Sequence, residues 1–232
     1  MKKTSFFKSF AVLLITAITF TSCGKTSVVG TWNLESEDET ESYTFKKDGR
    51  VESIDDDTKY LGTYKYENEV LTISFTKSGT ILASGAVDEY DSLDREFIEY
   101  GIVDGDEIYI GDNKIKMPGE NSVEGTFSWS GKRYTMYGAF DVTYTLTLTP
   151  YSEDDKKVDG FLGKSHYEEV INARGFGSFT NEYNGDYTRR TVNYRDVLST
   201  LLVNEDKQMI MLGGTIKNGF WYPFNSILKK QK

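Results

Sequence analysis

The 232-residue chain holds one cysteine, one histidine and three prolines, and each scarcity excludes something. Cys23 alone cannot form an intramolecular disulfide, so the fold must be held by apolar burial. His166, the only imidazole, has no second histidine or cysteine with which to build a zinc site. It could act as a general base only with Ser165 or Asp155 nearby, and it reads more simply as a half-exposed residue of its element. No G-x-S-x-G element occurs. The acidic groups at 55–57 (DDD) and 104–107 (DGDE) lack the D-x-D-x-D-G spacing of a calcium loop and read as solvated hairpin tips. GFGSF at 175–179 lacks the strand-to-helix setting of a phosphate loop. The expectation is a protein that is not an enzyme, with no metal and no cofactor.

Long apolar runs are missing as well. The longest, FAVLLITAITF at 10–20, would span roughly 16 Å as a helix, about half of a ~30 Å hydrocarbon core. Lys2, Lys3 and Lys8 precede it and the small polar pair Thr21-Ser22 follows, which is the layout of a secretory signal over residues 1–22. Phe20-Thr21-Ser22-Cys23 resembles the lipobox of bacterial lipoproteins, in a relaxed form with Phe where Leu is common. The resemblance implies a lipid anchor on Cys23, a tether over 23–28 and attachment to the membrane in the cell envelope. Gly24-Lys25 lacks the Asp that resembles an inner-membrane retention signal. The expected location is therefore the outer membrane, on its periplasmic or surface face, in a cell that has one.

Positive charge is also short. Beyond residue 22 there are 24 Lys and Arg against 36 Asp and Glu, which argues against nucleic acid as a partner. The deficit is confined to one half: residues 24–120 carry a net charge of −13 and residues 121–232 a net charge of +1, implying two units with different surfaces.

What the chain has in abundance is strand grammar. Short runs of Val, Ile, Thr, Tyr and Phe alternate with Gly, Asn and Asp turn signals. YTFKKDGRVESI reads as a hairpin turning at Asp48-Gly49, and GTYKYENEVLTISF as another turning at Glu67-Asn68-Glu69. A third turns around Asp104 to Asp106. Two stretches predict short helices: DSLDREFIEYG from 91, and SHYEEVINARG from 165, with Ser165 and Glu168 as a capping box. Tyr43-Thr44, Leu61-Gly62 and Tyr66-Glu67 each recur 101 residues later, and VVGTW at 28–32 matches SVEGTF at 122–127. Tandem duplication follows, with a boundary near Pro118-Gly119 and two copies at 29–118 and 122–230.

The order Gly30-Thr31-Trp32, Tyr43-x-Phe45-x-x-Asp48-Gly49, Gly62-Thr63-Tyr64, Leu71-x-Ile73 resembles the lipocalin-like domains of bacterial lipoproteins. The match covers residues 28–75; the second copy keeps Gly125-Thr126-Phe127. It implies an all-β fold of antiparallel barrels with Trp32 across the floor of the first. One larger antiparallel barrel or sandwich is the alternative. Floor or cavity candidates are Trp32, Tyr43, Phe45, Tyr64, Tyr66, Phe127 and Trp221. Residues 121–232 hold 18 aromatic residues against 11 in 24–120, so the second copy is the richer in material for either a cavity or a recognition face. Two function classes follow: barrels that bind a small hydrophobic or amphipathic ligand, or solid barrels that engage a protein or glycan of the envelope.

Overall fold

A computed structural model describes residues 27–34, 41–119, 122–135, 138–173, 175 and 177–231. Cys23 and the signal segment lie outside these. The fold is all-β and antiparallel throughout, in two barrel-like sheets. The first half supplies β1 (Gly30–Leu34), β2 (Glu41–Phe45), β3 (Arg50–Asp55), β4 (Thr58–Glu67), β5 (Val70–Thr80), β6 (Asp91–Asp104), β7 (Glu107–Gly111) and β8 (Ile115–Lys116). The second half supplies β9 (Gly125–Thr135), β10 (Gly138–Pro150), β11 (Gly163–Ala173), β12 (Gly177–Val192), β13 (Arg195–Val203), β14 (Met209–Lys217), β15 (Phe220–Pro223) and β16 (Ser226–Lys230).

Period-two alternation sets the two cores. Tyr43 and Phe45 on β2, Leu71, Ile73 and Phe75 on β5, and Ile108 and Ile110 on β7 all point into the first barrel around Trp32. Leu146 and Leu148 on β10, Tyr187 on β12 and Leu198 and Leu202 on β13 fill the second around Phe127 and Trp221. The hairpin turns fall where the sequence places them: Gly49 takes φ 83°, Asn68 and Glu69 take 52° and 65°, and Gly105 takes 59°.

The two stretches expected to be helical are strands. Residues 91–101 belong to β6, paired with β5 at Asp91, Ser92 and from Phe97 onward and with β7 only at Tyr100 and Gly101. Residues 165–173 belong to β11, paired on both edges. Along β11, Ser165, Tyr167, Glu169 and Ala173 are buried in alternation. The capping box and glycine stop are local preferences; two complete ladders with an inward-facing side outweigh them in β11, and pairing with β5 outweighs them in β6.

The last strand of each half crosses into the other barrel. The first barrel closes in the order β1-β16-β7-β6-β5-β4-β3-β2, so the C-terminal strand fills the gap between β1 and β7. The second sheet runs β8-β15-β14-β13-β12-β11-β10-β9 and takes β8 from the first half. The two crossings form one ribbon of unbroken register: Lys229 faces Glu107, Ser226 faces Ile110, Trp221 faces Ile115 and Phe220 faces Lys116. The division drawn at 118 and 122 is therefore crossed by two strands.

Corresponding pairs show the duplication in the structure. Thr31 and Thr44 share a hydroxyl hydrogen bond of 3.2 Å between the first two strands of one barrel, and Thr126 and Thr147 share one of 3.1 Å in the other. Gly30 and Gly125 open the two barrels with φ 131° and 133°. The register corrects the sequence alignment. The counterpart of Gly62 is Gly185, since Gly62 of the fourth strand pairs with Phe75 of the fifth as Gly185 of β12 pairs with Leu202 of β13, and the counterpart of the β6–β7 hairpin is β14–β15. The run LVNEDKQMIMLG at 202–213, whose acidic turn and apolar strand are similar to IVDGDEIYIG at 102–111, belongs to β13–β14 and is not the counterpart of that β6–β7 hairpin.

Candidate functional site

One end of the first barrel is sealed. The Trp32 indole is fully buried, donates from Nε1 to the Val28 carbonyl at 2.8 Å, and has the Lys230 ammonium 5.1 Å above its ring. Lys230 Nζ also donates to the Ser27 carbonyl at 2.7 Å, so the last strand and the segment before the first are pinned together under the barrel.

The other end is open. Glu41, Asp55 and Leu93 stand at the opening of a cavity of about 360 Å³, with Tyr43, Ser53, Phe75 and Glu99 deeper inside and Tyr60 and Phe97 on the wall. Its volume lies at the lower end of the range for small-molecule sites. Phe75 is 5.8 Å from Tyr60 and 6.2 Å from Phe97 between ring centroids, which makes a continuous aromatic wall.

The polar centre of this cavity is a pair of carboxyls on one phenol. The Tyr43 oxygen lies 2.7 Å from Glu41 Oε1 and 3.1 Å from Glu99 Oε1. A hydroxyl carries one proton, so it donates to one carboxyl, and the other contact is a hydrogen bond only if that carboxyl brings its own proton. Burial pushes the Glu99 carboxyl up to about 8, with the Glu41 charge adding to it and the Tyr43 hydrogen bond opposing. Glu99 is thus the protonated partner near neutral pH and Glu41 the acceptor of the shorter bond. Burial, then the charges of Glu99 and Glu41, also hold the Tyr43 phenol well above its usual range. Glu99 Oε2 is enclosed and has no hydrogen-bond partner.

The second barrel has a cavity of about 520 Å³ at the corresponding position, walled by Tyr144, Tyr167 and Tyr183. Its chemistry differs. Leu212 stands where the first barrel has Glu99, and the buried carboxylate of Glu169 is held by Arg133 and by Asn181 Nδ2 at 2.9 Å. This acid is satisfied from within the protein.

Of the residues singled out in the sequence, Tyr43 lines the first cavity. Trp32 and Phe45 are buried in the same core, and Tyr64 and Tyr66 pack half-buried against it. The Tyr64 hydroxyl donates to the Lys46 carbonyl at 2.8 Å. Phe127 and Trp221 meet edge to face at 6.2 Å in the second core. His166 is on the exposed side of β11, within 2.9 Å of Asn184 Oδ1. Among the described residues no cluster of His, Cys, Asp and Glu could hold a metal ion. Sequence reading missed Glu99, Ser53 and Asp55. Glu99 alternates with Phe97 and Gly101, but Arg95 falls in the same alternation, so the sequence offers no apolar face with a single acid on it, and reading the stretch as helix hid the strand. No protein-family model, curated protein or solved structure matches the chain.

Proposed function

We propose that the chain is an envelope lipoprotein, anchored through a lipid on Cys23, whose first barrel is lipocalin-like and binds a small amphipathic ligand without transforming it. The observation that carries this reading is the cavity itself: an aromatic-walled space open at one end of a closed barrel, with an enclosed carboxyl oxygen lacking any partner. Apolar walls with a few convergent polar groups are the usual make-up of a ligand site. The anchor and the outer-membrane location draw support from the lysines, apolar run and small residues before Cys23.

Two experiments test the two parts. Ser53 is buried on the cavity wall, so Ser53→Phe fills the space. Calorimetric titration with six-carbon amphipaths should give one site per chain in the wild type and none in the variant; equal binding by both would place the site elsewhere. Detergent phase partitioning should move the chain from the detergent to the aqueous phase on Cys23→Ser, and identical partitioning would remove the anchor. A second reading, docking of another envelope protein, draws on the outer face of β13–β14, where Val203, Met209 and Met211 are exposed side by side.

A further inference from the structure

We infer that the cavity of the first barrel takes a compact ligand bearing a primary ammonium group, bound with that group inward against Glu99. This names the ligand class for the reading above and rests on it.

The buried oxygen sets the requirement. Glu99 Oε2 is removed from water with no donor to meet it, and leaving such an acceptor unpaired is costly. A ligand that supplies an N–H or O–H donor at this point removes the cost. Charge then separates the donors. The groups facing Glu99 are Glu41 and Tyr43 on β2, Asp55 on β3 and Tyr60 on β4, and among the described residues lining the cavity there is no Lys or Arg. Asp112, farther off, adds to the same negative field. An anionic head would meet like charge, a hydroxyl would gain a hydrogen bond alone, and an ammonium gains the hydrogen bond together with the attraction. The rings of Tyr43, Tyr60, Phe75 and Phe97 favour the same choice, because aromatic faces attract cations in a desolvated site.

The second barrel supplies the contrast. With Leu212 in the place of Glu99, and Glu169 already matched by Arg133 and Asn181, it offers no acid in need of a cation. One amine per chain follows.

Binding also moves a proton. The empty site holds Glu99 protonated near neutral pH, and an entering ammonium stabilises the carboxylate, so the Glu99 proton leaves to solvent as the complex forms. Affinity should therefore rise with pH up to about 8 and then level off.

The test is calorimetric titration of the full chain with hexylamine, 2-phenylethylamine, hexanol and hexanoate. The amines should bind about tenfold tighter than hexanol, with hexanoate weakest. Their heats should vary with the ionisation heat of the buffer, reporting the released proton. Glu99→Gln should bring the amines to the level of hexanol and abolish the buffer dependence of their heats. Should that variant not fold, as judged by its melting transition, the wild-type buffer dependence and Asp55→Asn at the rim decide; the latter should weaken the amines about two- to threefold and leave hexanol unchanged. Hexanol or hexanoate binding as tightly as the amines, or no proton release, would overturn the amine assignment and leave the amphipath reading standing. Failure of all four probes to bind would overturn both.

Discussion

Glu99 links stability to pH as well as binding. Its carboxyl is raised from 4.5 to about 8, so the folded chain keeps a proton that the unfolded chain gives up between these values. The contribution of this group is complete below about pH 4.5. It declines by at most about 1.4 kcal/mol per pH unit as pH rises towards 8. Glu99→Gln stays neutral throughout, so its urea midpoint should gain on that of the wild type between pH 5 and pH 8. Midpoints that move in parallel would show that Glu99 titrates normally. Residue type carried part of the site in the sequence: Tyr43 and Trp32 could be named because large aromatics at alternating positions in a barrel motif face inward. Glu99 could not, because its burial depends on β5 beside it and on Tyr43 of β2 across the barrel, and no local pattern reports that.

At the scale of elements, hairpins were legible and pairings across the chain were not. Asp48-Gly49 and Asn68-Glu69 are turn chemistry readable in four residues, whereas Ser165-x-x-Glu168 imitates a helix start until β10 and β12 are known to flank it. The glycines of β4 and β12 show the same dependence on neighbours. A Cβ at Gly62 would stand 2.0 Å from the Ser74 carbonyl oxygen, and one at Gly185 1.6 Å from that of Leu201, so both positions need close backbone approach where the sheet bends. The register of β4 on β5 shifts at Leu61/Gly62, which marks the irregularity in the ladder. Gly62→Ala and Gly185→Ala should each cost about 2 kcal/mol or more in chemical unfolding. Gly105→Ala is the control: its Cβ meets no atom within 4 Å, and only its φ of 59° opposes the change, which should cost about 1 kcal/mol. Equal losses at all three positions would contradict the account of close packing.

For the whole molecule, the two-barrel repeat was visible in the sequence through its matching openings at Gly30-Thr31 and Gly125-Thr126, whereas the three matches 101 residues apart fall out of register. The exchange of last strands was not visible, because LKK at 228–230 says nothing about which β-edge it joins. Only the register shows that Leu228, fully buried, completes the core around Trp32 and Ile108. Cutting the chain at 118 and 122 would therefore part the first barrel from the strand that closes it. Ending the chain at residue 225 should open the edges of β1 and β7, remove Leu228, and lower stability by about 3 kcal/mol or more, with self-association through the bared edges. A peptide of residues 224–232 added in trans should restore the monomer. A truncated chain that stays monomeric with an unchanged midpoint would refute the closure by β16.

Both sheets enclose a cavity, and ligand binding is assigned to the first alone. Heteronuclear NMR of the full chain titrated with hexylamine tests this most directly. Shifts should concentrate on Tyr43, Ser53, Tyr60, Phe97 and Glu99 and saturate at one equivalent, while Tyr144, Tyr167 and Leu212 of the second cavity stay in place. Shifts centred on the second cavity or on the exposed face at Met209 and Met211, with the first barrel silent, would contradict it.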